Sequence, residues 1–101
     1  MDENNSISGR TGKRGETGNV VHILQDHFDP RVMQIIAGTT ITWVNNDEIA
    51  HSVTADDESF DSWNIQPGAS FSKVITQVGT LNYHCKYHPE MVGQLNVTGV
   101  K

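Results

Sequence analysis

Cysteine is nearly absent from this chain: among 101 residues there is one, Cys85. A single thiol excludes an internal disulfide and leaves three roles for itself, as a buried apolar residue, a nucleophile or a metal ligand. Long apolar runs are missing too, and with none reaching about eighteen residues nothing here spans a bilayer as a helix. Basic charge is scarce, seven Lys and Arg against twelve Asp and Glu, for a net charge of −5. That balance excludes a nucleic-acid partner, which needs a basic face. No apolar stripe recurs at helical spacing. The length suits one domain, large enough to bury a core without staples.

Residues 1–18 are short of apolar side chains. Beyond Met1 only Ile7 is apolar, between Gly9, Gly12, Gly15 and Gly18, and the charges cancel, Asp2, Glu3 and Glu16 against Arg10, Lys13 and Arg14. Such a composition offsets little of the cost of ordering a backbone. We expect residues 1–18 to be a disordered linker, or a tether to a removed membrane anchor, and residues 19–101 to form the folded domain that carries the whole negative charge. The segment lacks the pattern of a secretory leader, so the expectation is either a leader already removed or a cytoplasmic protein.

From Asn19 onward, short β-branched runs alternate with period two between turn residues. Strands are expected at 20–24, at 32–36 on a sheet edge after Pro30, at 39–44 and at 51–54 beyond the Asn45-Asn46-Asp47 turn. After an irregular stretch at 56–66 and a Pro67-Gly68 turn come 71–75, 80–85 and 94–100. Seven to eight strands predict an all-β, single-domain antiparallel Greek-key β-sandwich. Trp43, Phe71, Leu81, Tyr83, Leu95 and Val97 are its expected core.

The densest chemistry lies in Cys85-Lys86-Tyr87-His88-Pro89-Glu90-Met91. A thiolate, an imidazole and a thioether within seven residues suit copper cycling between two oxidation states, with the thioether as a weak axial donor. Zinc is the rival, but its sites rarely use methionine, and one Cys-x-x-His fills only half of a closed tetrahedral shell. Cys85 and His88 lie at most about 10 Å apart along the chain. A fourth ligand must come from elsewhere, and His51 is the best candidate, provided a sheet fold brings it near. Alternation puts Leu81, Tyr83 and Cys85 on one inner face and turns His84 outward.

This arrangement resembles the cupredoxins, the family of plastocyanin, amicyanin, pseudoazurin and azurin, over roughly residues 19–100. The two-residue gap between His88 and Met91 is similar to that of amicyanin. The resemblance implies one type 1 copper ion, held by His51, Cys85 and His88 with Met91 axial, and a carrier of single electrons between redox partner proteins. It also implies an extracytoplasmic location, periplasmic or at the cell surface, and electron passage through the edge of His88. Two departures stand out: Ser52 follows the first ligand where many members carry Asn, and Tyr87 replaces the proline before the second ligand His. The Ser52 hydroxyl is the candidate to bridge the two loops instead.

Three histidines are left over. His84 beside Cys85 resembles copper nitrite reductases and multicopper oxidases, where a histidine in that place binds a second, catalytic copper. The alternative function is therefore copper-dependent chemistry on a small nitrogen oxide or dioxygen, at an open site or at a second copper completed in an oligomer by His22 or His27. The electron carrier is the preferred reading over the enzyme. Asp56, Asp57, Glu58 and Asp61 read as a solvated face, or as a docking patch that raises the encounter rate with a basic partner.

Overall fold

A computed structural model of the protein describes residues 19–99. Residues 1–18, read above as a linker or tether, lie outside the described residues, as does Val100 at the end of the last expected strand. Eight strands occur among the described residues: β1 Val20–Ile23, β2 Phe28–Asp29, β3 Val32–Ile36, β4 Thr39–Asn45, β5 Thr54–Ala55, β6 Ser70–Ile75, β7 Gly79–Cys85 and β8 His88–Thr98. They form two four-stranded sheets, ordered β3-β8-β7-β5 and β2-β1-β4-β6.

The expected all-β sandwich is therefore present, with one parallel pair in each sheet, β1 against β4 and β3 against β8. The remaining pairs are antiparallel. Strand β3 takes the expected edge position. The two-residue β2 is an addition to the expected set, paired to β1 through His22–Asp29 and Ile23–Phe28. Residues 51–54 shrink to β5 at Thr54–Ala55, and His51 instead forms an isolated bridge with Ile65.

Alternation decides which side chains face inward. Along β4 the buried positions are Ile41, Trp43 and Asn45, and along β7 they are Leu81, Tyr83 and Cys85. Trp43 and Tyr83, from different sheets, meet edge-to-face at 5.5 Å, and Phe28 meets Tyr83 at 4.8 Å. All three rings are fully buried, each burial stabilising the fold by roughly 2–3 kcal/mol. Of the expected core, Phe71 alone is only half-buried, lying at the rim against Trp43. Gly93 is required by packing, since a Cβ there would come within 2.2 Å of the Tyr83 ring.

Candidate metal centre

Three segments converge at one end of this sandwich. Strand β7 ends at the fully buried Cys85, Lys86-Tyr87 form a two-residue turn, and His88 opens β8 directly opposite Cys85. His88 and Met91 were expected in a loop beyond β7, with the last strand starting near residue 94; the structure corrects this. Pairing resumes at His88 and is interrupted between His88 and Val92, where Pro89 has no N–H to give to a ladder. That irregularity turns Met91 inward, 2% exposed, while His88 stays half-buried.

The third segment is the connection from β4 to β5, which carries His51. Its backbone is held by reciprocal bonds with Ile65, His51 N–H to Ile65 O at 3.1 Å and Ile65 N–H to His51 O at 2.7 Å. The ring is fully buried. Its Nδ1 stands 3.6 Å from Cys85 Sγ, and its Nε2 donates to Asp47 Oδ2 at 2.7 Å. A carboxylate only accepts, so Nε2 carries the proton. The His88 ring lies beside it, centroids 5.3 Å apart.

Ser52 ties the segments together. Its N–H donates to Cys85 Sγ at 3.4 Å, and its hydroxyl accepts the Lys86 N–H at 2.9 Å. The departure from Asn thus leaves a bridge made by the hydroxyl. Below it, fully buried Asn45 donates to Ile49 O and Ile65 O, both at 2.8 Å, and accepts the Asp47 N–H at 2.9 Å. The hydrogen bond from His51, with another from the Glu48 N–H, holds the Asp47 carboxyl below the ordinary carboxylate range.

Cys85, His51 and Met91 are buried and His88 half-buried at the same end of the fold. Two donors sharing one ion at ordinary metal–nitrogen and metal–sulfur lengths stand about 3.6–3.8 Å apart, and Sγ and Nδ1 fit that separation. Among the described residues, no group of three or more His, Cys, Asp or Glu side chains stands ready-gathered for an ion. The gathered donors are Cys85 and His51, with His88 alongside.

The leftover histidines are dispersed. His84 turns away from the core and donates to Asp56 at 2.6 Å, His22 to Asn46 at 2.6 Å and His27 to Asp26 at 2.7 Å. The acidic run is split: Asp56, Asp57 and Glu58 are exposed, whereas Asp61 is half-buried and bonds Lys86 Nζ at 2.6 Å. Burial pushes the Asp61 carboxyl up, but Lys86 and the Trp63 N–H outweigh it and hold it below its ordinary range. Lys86 also sits over the exposed Trp63 ring, 4.3 Å from its centroid.

Comparison with known proteins agrees with this architecture. Residues 6–97 match the family model described as a cupredoxin-like domain. The chain belongs to the cupredoxin family. Among curated cupredoxins it is 32% identical over 72 residues to plastocyanin of Scenedesmus fuscus, covering 60% of this chain and 74% of that one. To amicyanin of Paracoccus denitrificans it is 26% identical over 83 residues, 77% of this chain and 63% of amicyanin, so it spans less than two thirds of that protein. A solved purple cupredoxin from Nitrosopumilus maritimus superposes with a TM-score of 0.75 at 27% identity, covering 78% of this chain and 98% of that one. A reduced amicyanin variant also gives 0.75, at 25% identity, covering 85% and 87%.

Asp47 and Asn45 escaped the sequence reading, which saw only turn residues in Asn45-Asn46-Asp47. The available signal was a carboxylate four residues before a candidate ligand histidine.

Proposed function

We propose that this cupredoxin is a type 1 copper protein that carries single electrons between redox proteins, its ion held by His51, Cys85 and His88 with Met91 axial. The observation that carries the reading is the buried pair of Cys85 Sγ and His51 Nδ1, 3.6 Å apart at the end of a core strand. The plastocyanin and amicyanin relatives support it. Copper supplies a one-electron couple.

The chain's own contribution is a fixed frame. Packing of Leu81 and Tyr83 holds Cys85 at the end of β7, and the Ser52 N–H takes up part of the charge on its sulfur. Asp47 fixes the His51 ring, leaving Nδ1 bare toward the thiolate. A frame held this way changes little when an electron arrives or leaves, which lowers the cost of exchange. Half-buried His88 reaches the surface between exposed Tyr87 and Pro89 and is the exit for the electron. Exposed Ile49 and Tyr87 give that end an apolar character suited to transient docking with a redox partner. The same relatives support an extracytoplasmic location, which we place in the periplasm or at the cell surface as part of this proposal.

Copper counting with absorption and electron spin resonance spectra tests this. One copper per chain and an intense sulfur-to-copper absorption are expected, and Cys85→Ser should abolish the absorption. Retained colour in the Ser variant, or a wild type that takes up no copper, would sink the proposal. Two coppers per chain in an oligomer, the second lost in His84→Ala together with nitrogen-oxide turnover, would replace the carrier with the enzyme.

A further inference from the structure

We propose that Asp47 is a positioning residue of this centre, fixing the tautomer of His51 and lending negative charge that favours the cupric over the cuprous ion; the charge part rests on the copper reading above. A backbone carbonyl would suffice to hold an imidazole N–H. Here the acceptor is instead a carboxylate, 2.7 Å from Nε2, with its side chain only 12% exposed.

The carboxylate is built into place. Its Oδ1 accepts the Glu48 N–H at 2.7 Å, and its own N–H is held by Asn45 Oδ1 at 2.9 Å. Asn45 in turn binds Ile65 O, and Ile65 bridges to His51. The loop is therefore closed on itself: Asn45 sets the position of Asp47, Asp47 sets the ring, and Ile65 sets the backbone that carries the ring.

Two consequences follow from the chemistry of the pair. A carboxylate that accepts the hydrogen bond from Nε2–H leaves Nδ1 as the bare nitrogen of the neutral ring, and that is the atom facing Cys85 Sγ. Partial transfer of the proton makes the imidazole a stronger donor, as in carboxylate–histidine–metal arrangements. A stronger donor, with a nearby negative charge poorly screened by solvent, stabilises the doubly charged ion more than the singly charged one.

The test uses Asp47→Asn, Asp47→Ala and Asp47→Glu. Asn keeps an oxygen acceptor and removes the charge, Ala removes both, and Glu restores the charge. In copper-loaded protein the cupric-to-cuprous affinity ratio should fall about tenfold in Asp47→Asn, a rise of about 59 mV in reduction potential for a one-electron couple. Asp47→Ala should raise it at least as far, and Asp47→Glu should return it toward wild type. Asn and Ala variants at the wild-type potential, with wild-type copper content, would overturn the charge role.

A second arm needs no copper. Nitrogen-15 NMR of the copper-free protein at about pH 9, where an ordinary imidazole is neutral, should find His51 as the Nε2–H tautomer in wild type and as a mixture in Asp47→Ala. Unchanged tautomers in Asp47→Ala would overturn the positioning role. A wild type that binds no copper would remove the copper reading and the charge role with it, leaving the positioning role to stand or fall on the NMR result.

Discussion

The loop at 46–53 and the turn at 86–91 each bring an imidazole to the same end of the sandwich, and they are built in opposite ways. The upstream loop is tied from within by Asn45, Asp47 and the Ile65 bridge, and its histidine is wholly buried. The downstream turn is held chiefly by its strand ends and by two ties at Lys86, its N–H to Ser52 Oγ and its Nζ to Asp61, and its histidine is half-exposed. Burial without partners is costly, so a histidine that must be dry needs the network, while one that meets solvent does not. The division suits an electron carrier, in which one ligand anchors and another communicates.

Asn45→Ala should damage the comparison most. It leaves Ile49 O and the Asp47 N–H without this partner and takes one of two donors from Ile65 O, and we expect a loss of about 3 kcal/mol in denaturant unfolding of the copper-free protein. A loss below about 1 kcal/mol would mean that water satisfies these groups and that the upstream loop is not held as described. Ser52→Ala should have a smaller effect, about 1 kcal/mol, and its signature is local: faster hydrogen exchange at the Lys86 N–H. Unchanged exchange there would show that the two segments are not coupled through Ser52. The smallest effect belongs to His88→Ala, within about 0.5 kcal/mol of wild type without copper, as for surface substitutions. Equal losses in His88→Ala and His51→Ala would erase the asymmetry.

Much of this was readable in the sequence because period-two alternation survives where a strand has one dry face. The set Leu81-Tyr83-Cys85 was placed inward on that ground, and the buried positions of β7 bear it out. Strand β2 was missed because two residues cannot display a period. The start of β8 was missed because the interruption between His88 and Val92 hides its alternation behind Pro89 and Glu90. Phe60 and Ile65 are buried inside an irregular stretch, where no pattern announces an inward side chain. Of the candidate donors, spacing alone picked out Cys85, His88 and Met91, and the convergence of His51 on Cys85 came from the expected sheet fold. Asp47 was masked by its own chemistry, since an aspartate after two asparagines reads as a turn and nothing in a linear pattern says what its carboxylate meets.

The parallel pairing of β3 with β8 places Val32 opposite Gln94, and among the described residues no strand nearer in the chain pairs with β3. While the protein is being synthesised, β3 leaves the ribosome long before its partner does, and its edge waits unpaired with exposed Val32 and Ile36 on it. Strand β8 also begins with His88 and contains Met91. The same late event thus joins β3 to the sheet and brings the last two candidate donors. The set of candidate donors is complete only once β8 has arrived to cover one edge of β3.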